Sequence, residues 1–137
     1  MKELLKKKSV KISILLIILL VLMGIVGINV QSVQQSKEYD EHIAAAEKYL
    51  TELDYEQAIA EYTKAFEIDP KEEVVDALEQ TYIAYAQTYM DAGDYDKAVS
   101  ILEEGYGKIG RESVQNRIEE FQVIQEEMLA KGAEIQE

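Results

Sequence analysis

Residues Tyr49 to Pro70 read YLTELDYEQAIAEYTKAFEIDP, and this stretch decides the fold. Ala58, Tyr62 and Ala65 fall at i, i+4 and i+7, one face of an α-helix. A second copy lies downstream. DYEQAIAEYTKA (Asp54–Ala65) aligns with DYDKAVSILEEG (Asp94–Gly105) at an offset of 40 residues, and Tyr49 aligns with Tyr89 at the same offset. Both copies open Asp-Tyr-acid-polar-Ala and then place an aliphatic residue. Self-similarity at such a period signals stacked helical hairpins. Tyr82, Tyr85 and Tyr89 form a stripe at i, i+3 and i+7 on the helix between the copies. Small alanines let paired helices approach, and tyrosines fill the space between them with their hydroxyls reaching water or a polar partner.

This pattern resembles the tetratricopeptide repeat (TPR) family, whose helix–turn–helix unit spans about 34 residues. In the first copy the family's residues are Ala45, Ala46, Tyr49, Tyr55, Ala58, Tyr62, Ala65 and Pro70. In the second they are Tyr82, Tyr85, Ala86, Tyr89, Gly93, Tyr95, Ala98 and Leu102. Four positions depart from the pattern. His42 holds the first copy's opening aromatic position, Leu53 stands where glycine is common in the turn, Gly105 replaces an alanine, and Gly110 replaces the closing proline. The longer offset implies extra residues, and Lys71–Asp76 (KEEVVD) is their natural place, lengthening the next helix at its start. Asp69-Pro70 followed by acids is the expected opening of that helix.

The resemblance implies a groove lined by the first helix of each repeat. Carried over, its positions are Asp40, Ile43, Glu47, Leu50, Gln80, Ile83, Gln87 and Met90. The lysine–asparagine clamp by which some family members hold a C-terminal carboxylate is not present, since Ile43, Glu47 and Thr51 take the clamp-like positions. An acidic and apolar groove implies a protein or peptide partner that is basic or amphipathic.

Downstream, Val114, Ile118, Phe121 and Met128 form a helical stripe with Ile124 beside it, backed by Glu, Gln and Arg. This predicts a polar-backed capping helix over Arg111–Lys131. Two repeats and a cap are fewer than the three usually needed to bury a continuous core, which predicts marginal stability without a partner or self-association.

Charge divides the chain. Residues 1–11 carry five lysines (Lys2, Lys6, Lys7, Lys8, Lys11) against Glu3, whereas the chain from Asn29 onward carries nine Lys/Arg against 26 Asp/Glu. So acidic a domain repels nucleic acid, which is bound through cations on phosphates. Between them Ile12 to Ile28, ISILLIILLVLMGIVGI, has no charge. Extended to Val30 it is 19 residues, roughly 28 Å as a helix and close to the ~30 Å hydrocarbon core. Thirteen of the residues from Ile12 to Ile28 are Leu, Ile or Val, contributing about −4 to −8 kcal/mol on the insertion scale. Lysines flank only the N-terminal side, which predicts a cytoplasmic N-terminus and an extracytoplasmic domain in the cell membrane. A cleaved signal peptide is the rival reading. The run is longer than a signal core, and no A-x-A site follows it. Asn29–Glu38 holds no Gly or Pro, so a continuous helix and a short stalk are both open there.

Catalytic and metal chemistry find little to work with. No cysteine is present, which excludes disulfides, thiolate zinc sites and thiol nucleophiles. His42 is the one histidine, and HExxH and phosphate-loop motifs are missing. Asp91, Asp94 and Asp96 do not have calcium-loop spacing, since Leu102 stands where the closing Glu belongs. They read instead as helix-opening acids, as does Asp54.

The expected architecture is all-α, an N-terminal transmembrane helix followed by a short TPR-like α-hairpin solenoid with a C-terminal capping helix. Its parts are a basic tail (1–11), a membrane anchor (12–30), a connector (31–38), the helical domain (39–131) and a disordered tail (132–137). The expected function is a non-catalytic adaptor or scaffold, without metal or cofactor, that binds a protein partner at the extracytoplasmic face. The rival is a structural membrane protein that self-associates and has no groove ligand.

Overall fold

The structure is a computed structural model that describes residues 18, 20 and 33–134. The chain divides into two units, Met1–Glu38 and Tyr39–Glu137. In the first, Ile18, Leu20 and residues 33–38 are helical and exposed. The expected anchor, 12–30, otherwise lies outside the described residues, as do the basic tail and residues 135–137. Among the described residues no helix is long and apolar enough to cross a membrane.

Among the described residues the second unit is built of five helices, α1 (residues 39–51), α2 (Tyr55–Ile68), α3 (Glu72–Asp91), α4 (Tyr95–Ile109) and α5 (Glu112–Glu134). α2 packs on α3, α3 on α4 and α4 on α5, and α5 also reaches α3. This is a TPR-like arrangement of two hairpins and a further helix.

Both hairpin turns are made the same way. Leu53 N–H donates to the Leu50 carbonyl (3.1 Å) and Asp54 N–H to Tyr49 (2.9 Å). In the second copy Gly93 N–H donates to Met90 (3.0 Å) and Asp94 N–H to Tyr89 (2.9 Å). This paired closure terminates a helix when the residue past its end is left-handed. That residue is Leu53 (φ 60°) in one turn and Gly93 (φ 81°) in the other. The next residue then starts the following helix. The carboxylates of Asp54 and Asp94 accept from the N–H of Gln57 and Lys97, each at 3.2 Å. Each aspartate thus closes one helix and caps the next, leaving no free linker between them.

The core follows the small-and-aromatic pattern. Ala46, Ala58, Ala65, Ala86 and Ala98 are fully buried, and Leu78, Tyr82, Leu102, Val114 and Phe121 fill the space they leave. A fully buried side chain of that size contributes about 1.5–3 kcal/mol. Among the described residues Thr81 is the buried polar one, and its hydroxyl donates to the Ala77 carbonyl at 2.6 Å. Gly105 lies against the Tyr82 ring, where an added Cβ would sit 2.7 Å from Cγ.

α3 differs from the expectation at its start. Asp69 does not open it. Pro70 restricts the residue before it to extended backbone, and Asp69 (φ −153°, ψ 106°) instead ends α2 by donating its N–H to Ala65. Lys71 takes the N-cap position with no side-chain bond to the helix, and Glu72 and Glu73 form an acidic first turn. Residues 71–79 dock the unit's first and last helices. Tyr39 of α1 donates its hydroxyl to Glu73 (3.0 Å), and the Lys71 ammonium sits 3.8 Å over its ring. Arg111, just before α5, pairs with Glu72 (2.6 Å), Asp76 (2.9 Å) and Glu79 (3.3 Å). Val74 between them is fully buried.

At the C-terminal end Val114, Ile118 and Phe121 are buried as the stripe predicts, but Met128 is 44% exposed. α5 has 23 residues against 15 in α4 and outruns its support.

Candidate functional site

α1, α2 and α3 together line an open cavity of about 260 Å³. Leu50 comes from α1, Tyr62 from α2, and Ala77, Gln80, Thr81 and Ala84 from α3. The cavity follows from side-chain size. Ala77, Thr81 and Ala84 recur at i, i+4 and i+7, so this face of α3 is a stripe of small residues against which Leu50 and Tyr62 stand as walls. Its lining is mostly apolar, with Gln80 as the polar edge. Glu47 lies near it. Burial raises the Tyr62 hydroxyl's pKa above its ordinary value, and the Glu47 carboxylate raises it further. The site offers an apolar hole for one side chain beside a negative charge.

The eight expected groove residues are placed unevenly. Leu50 and Gln80 meet at the cavity. Asp40, Glu47, Gln80 and Gln87 are exposed, while Ile43, Leu50 and Ile83 are half-buried against the core. Gln87 donates its amide to Asp91 at 2.8 Å. Met90 is turned inward and only 9% exposed, so it presents little surface to a partner. Of the clamp-like positions, Thr51 donates its hydroxyl to the Lys48 carbonyl (2.7 Å). Tyr62, Ala77, Thr81 and Ala84 line the cavity but were absent from the groove positions. The spacing of Ala77 and Ala84 was the available signal.

His42 is half-buried and ties α1 to α2, with Nδ1 2.6 Å from the Glu61 carboxylate. Lys64 contacts the other oxygen of Glu61 at 2.7 Å. The Lys64 hydrogen bond is the largest influence on Glu61. Together with His42 it outweighs burial and holds the carboxyl below the usual range. What these three side chains do in the structure is tie α1 to α2. Among the described residues no three His, Asp or Glu side chains gather to hold a metal ion.

No curated protein and no solved structure matches the chain. The tetratricopeptide repeat family model matches residues 49–105, from the end of α1 through most of α4. Tetratricopeptide repeats generally mediate protein–protein interaction and are typically non-catalytic. The matched stretch contains both Asp-Tyr turns and the cavity wall on α3, and it supports identifying this segment as tetratricopeptide repeat.

Proposed function

We propose that this chain is a non-catalytic adaptor, held at the cell membrane by residues 12–30, whose helical domain binds a protein or peptide partner on the extracytoplasmic side. The observation that carries the binding reading is the cavity at Leu50, Tyr62, Ala77 and Ala84, with Glu47 beside it. A segment with one apolar anchor and a neighbouring basic residue fits that chemistry. The apolar hole supplies affinity and the carboxylate supplies orientation. The anchoring reading rests on the uncharged run from Ile12 to Ile28 and its one-sided lysine flank. An anchor would hold the groove near membrane partners and raise their effective concentration.

The test is affinity purification of the tagged full-length protein from detergent-solubilised membranes, comparing wild type with Glu47→Lys plus Ile83→Asp. Loss of a wild-type partner in the variant is the expected result. An unchanged set of partners refutes the groove, and recovery in the soluble fraction without detergent refutes the anchor. Exposed Val123, Met128 and Leu129 on α5 (55%, 44% and 66%) favour a second reading, in which copies of the chain associate through this helix. Crosslinking in membranes that yields homo-oligomers alone selects that reading.

A further inference from the structure

A second cavity, of about 240 Å³, opens between α2, α3 and α4 and shares no lining residue with the first. Its apolar surface comes from Ile59 of α2 and Ile101 of α4, both nearly buried. Its aromatic wall is Tyr82 and Tyr85 of α3. Tyr85 is stiffened by stacking on Tyr55 (5.6 Å, 24° between planes) and by an edge contact with Tyr89 (5.4 Å). Two carboxylates flank the opening from opposite helices, Glu56 of α2 and Glu104 of α4. The Tyr85 hydroxyl donates to Glu56, and the Tyr82 hydroxyl donates to Glu104 at 3.2 Å. Each carboxylate is therefore oriented by a packed ring and still has acceptor sites open. Neither is paired with a cation among the described residues. Lys97 also lines the cavity, its ammonium 6.0 Å from the Tyr89 ring, so the lining keeps a net charge of −1.

We propose that this cavity binds an arginine side chain presented by a partner protein. The chemistry favours arginine for three reasons. The guanidinium is a planar fork matched to oriented carboxylates. It stacks on aromatic faces, whereas an ammonium is a compact and strongly hydrated point charge. Its methylene stem takes up apolar surface such as Ile59 and Ile101 while the head meets the charges. The site is independent of the groove, so the domain has two separate points of attachment.

The test uses the isotope-labelled full-length chain in a neutral detergent, titrated with N-acetyl-arginine-methylamide and followed by NMR at the Ile59 and Ile101 methyls and the Tyr85 ring. The neutral isostere N-acetyl-citrulline-methylamide and N-acetyl-lysine-methylamide serve as comparison probes. The expected result is saturable shifts with the arginine probe, at least fivefold weaker binding of the lysine probe and none of the citrulline probe. Glu56→Gln with Glu104→Gln keeps both tyrosine hydrogen bonds and should weaken the arginine probe at least tenfold. The exposed Lys97→Gln, which removes the competing cation, should tighten it severalfold. Shifts spread evenly over the surface carboxylates, or unchanged in the double variant, overturn the site. Equal binding of the lysine probe overturns its assignment to a guanidinium. The exposed Glu47→Lys alone should leave these titrations unaltered, so failure of the groove reading and failure of this one are separable.

Discussion

Gly105→Ala sets two physical effects of opposite sign against each other. In the middle of α4, alanine is favoured over glycine by about 1 kcal/mol through helix propensity. The new methyl, however, would lie 2.7 Å from Cγ, 3.0 Å from Cδ2 and 3.1 Å from Cβ of Tyr82. Cβ and Cγ are the stem of that side chain, fixed to α3, and the ring is only 1% exposed. Turning the ring about χ1 or χ2 leaves Cβ where it is and moves Cγ little, so α3 and α4 must separate, which also strains the Tyr82–Glu104 hydrogen bond. Overpacking of this kind costs about 1–3 kcal/mol, more than the propensity gain at all but its lower limit. We expect a net destabilisation of about 1 kcal/mol, seen in urea unfolding and as a melting temperature lower by roughly 4–8 °C for a domain of this size. In a Tyr82→Ala background the clash partner is largely gone, and the same substitution should become neutral or stabilising. If Gly105→Ala raises stability in the wild-type background, the packing argument is wrong.

Four further outcomes are expected. Leu53→Gly should stabilise the domain by about 0.5–1 kcal/mol, because a left-handed leucine costs roughly 1–2 kcal/mol and glycine returns only part of that through chain entropy. Gly93→Leu should cost about 1 kcal/mol in the same unfolding assay, from backbone strain alone, since an added Cβ there meets nothing within 4 Å. Alkali should unfold the domain. Burial and the Glu73 hydrogen bond push Tyr39 from 10.0 up to about 12, burial and Glu104 raise Tyr82, and burial and its bonds to Glu56 and Tyr89 raise Tyr85. The unfolded tyrosines ionise first, so stability is complete below pH 10 and falls as pH rises toward 12, by up to about 1.4 kcal/mol per pH unit for each tyrosine. A urea midpoint equal at pH 9 and pH 11 would contradict this. At the other end, Glu61 is held ionised chiefly by Lys64 and also by His42, so its contribution is present above the ordinary value of 4.5 and lost as pH falls below it. Glu61→Gln should flatten that acid limb.

The hairpins were legible in the sequence because their determinants are local. An Asp-Tyr pair recurring after 40 residues marks two turns of one geometry, and alanines at fixed distances from it mark the close-packed faces. Gly105 in place of alanine was visible as a departure, but its reason lies across the α3–α4 contact in the Tyr82 ring. In the first copy the corresponding positions, 40 residues earlier, hold His42 and Ala65. There His42 is turned to the Glu61 carboxylate, and Ala65 is fully buried. Asp69-Pro70 was misleading, because proline's constraint on the preceding residue ends α2 without supplying a cap to α3. The cavities were not legible. They depend on which face of α3 meets which neighbour, and periodicity marks a face without naming what stands opposite. Met90 shows the limit, since a position carried over by resemblance to the groove proves to be packed inside.

The stretch Lys71–Asp76 gives the domain a common fastening. Tyr39 enters it from the unit's first helix and Arg111 from the start of its last, so the opening and closing helices are secured to the same turn of α3. Deleting that turn would loosen both ends at once. That turn therefore acts as a clasp, by which a short TPR-like stack recovers at its margins some of the cohesion that a longer array draws from additional repeats.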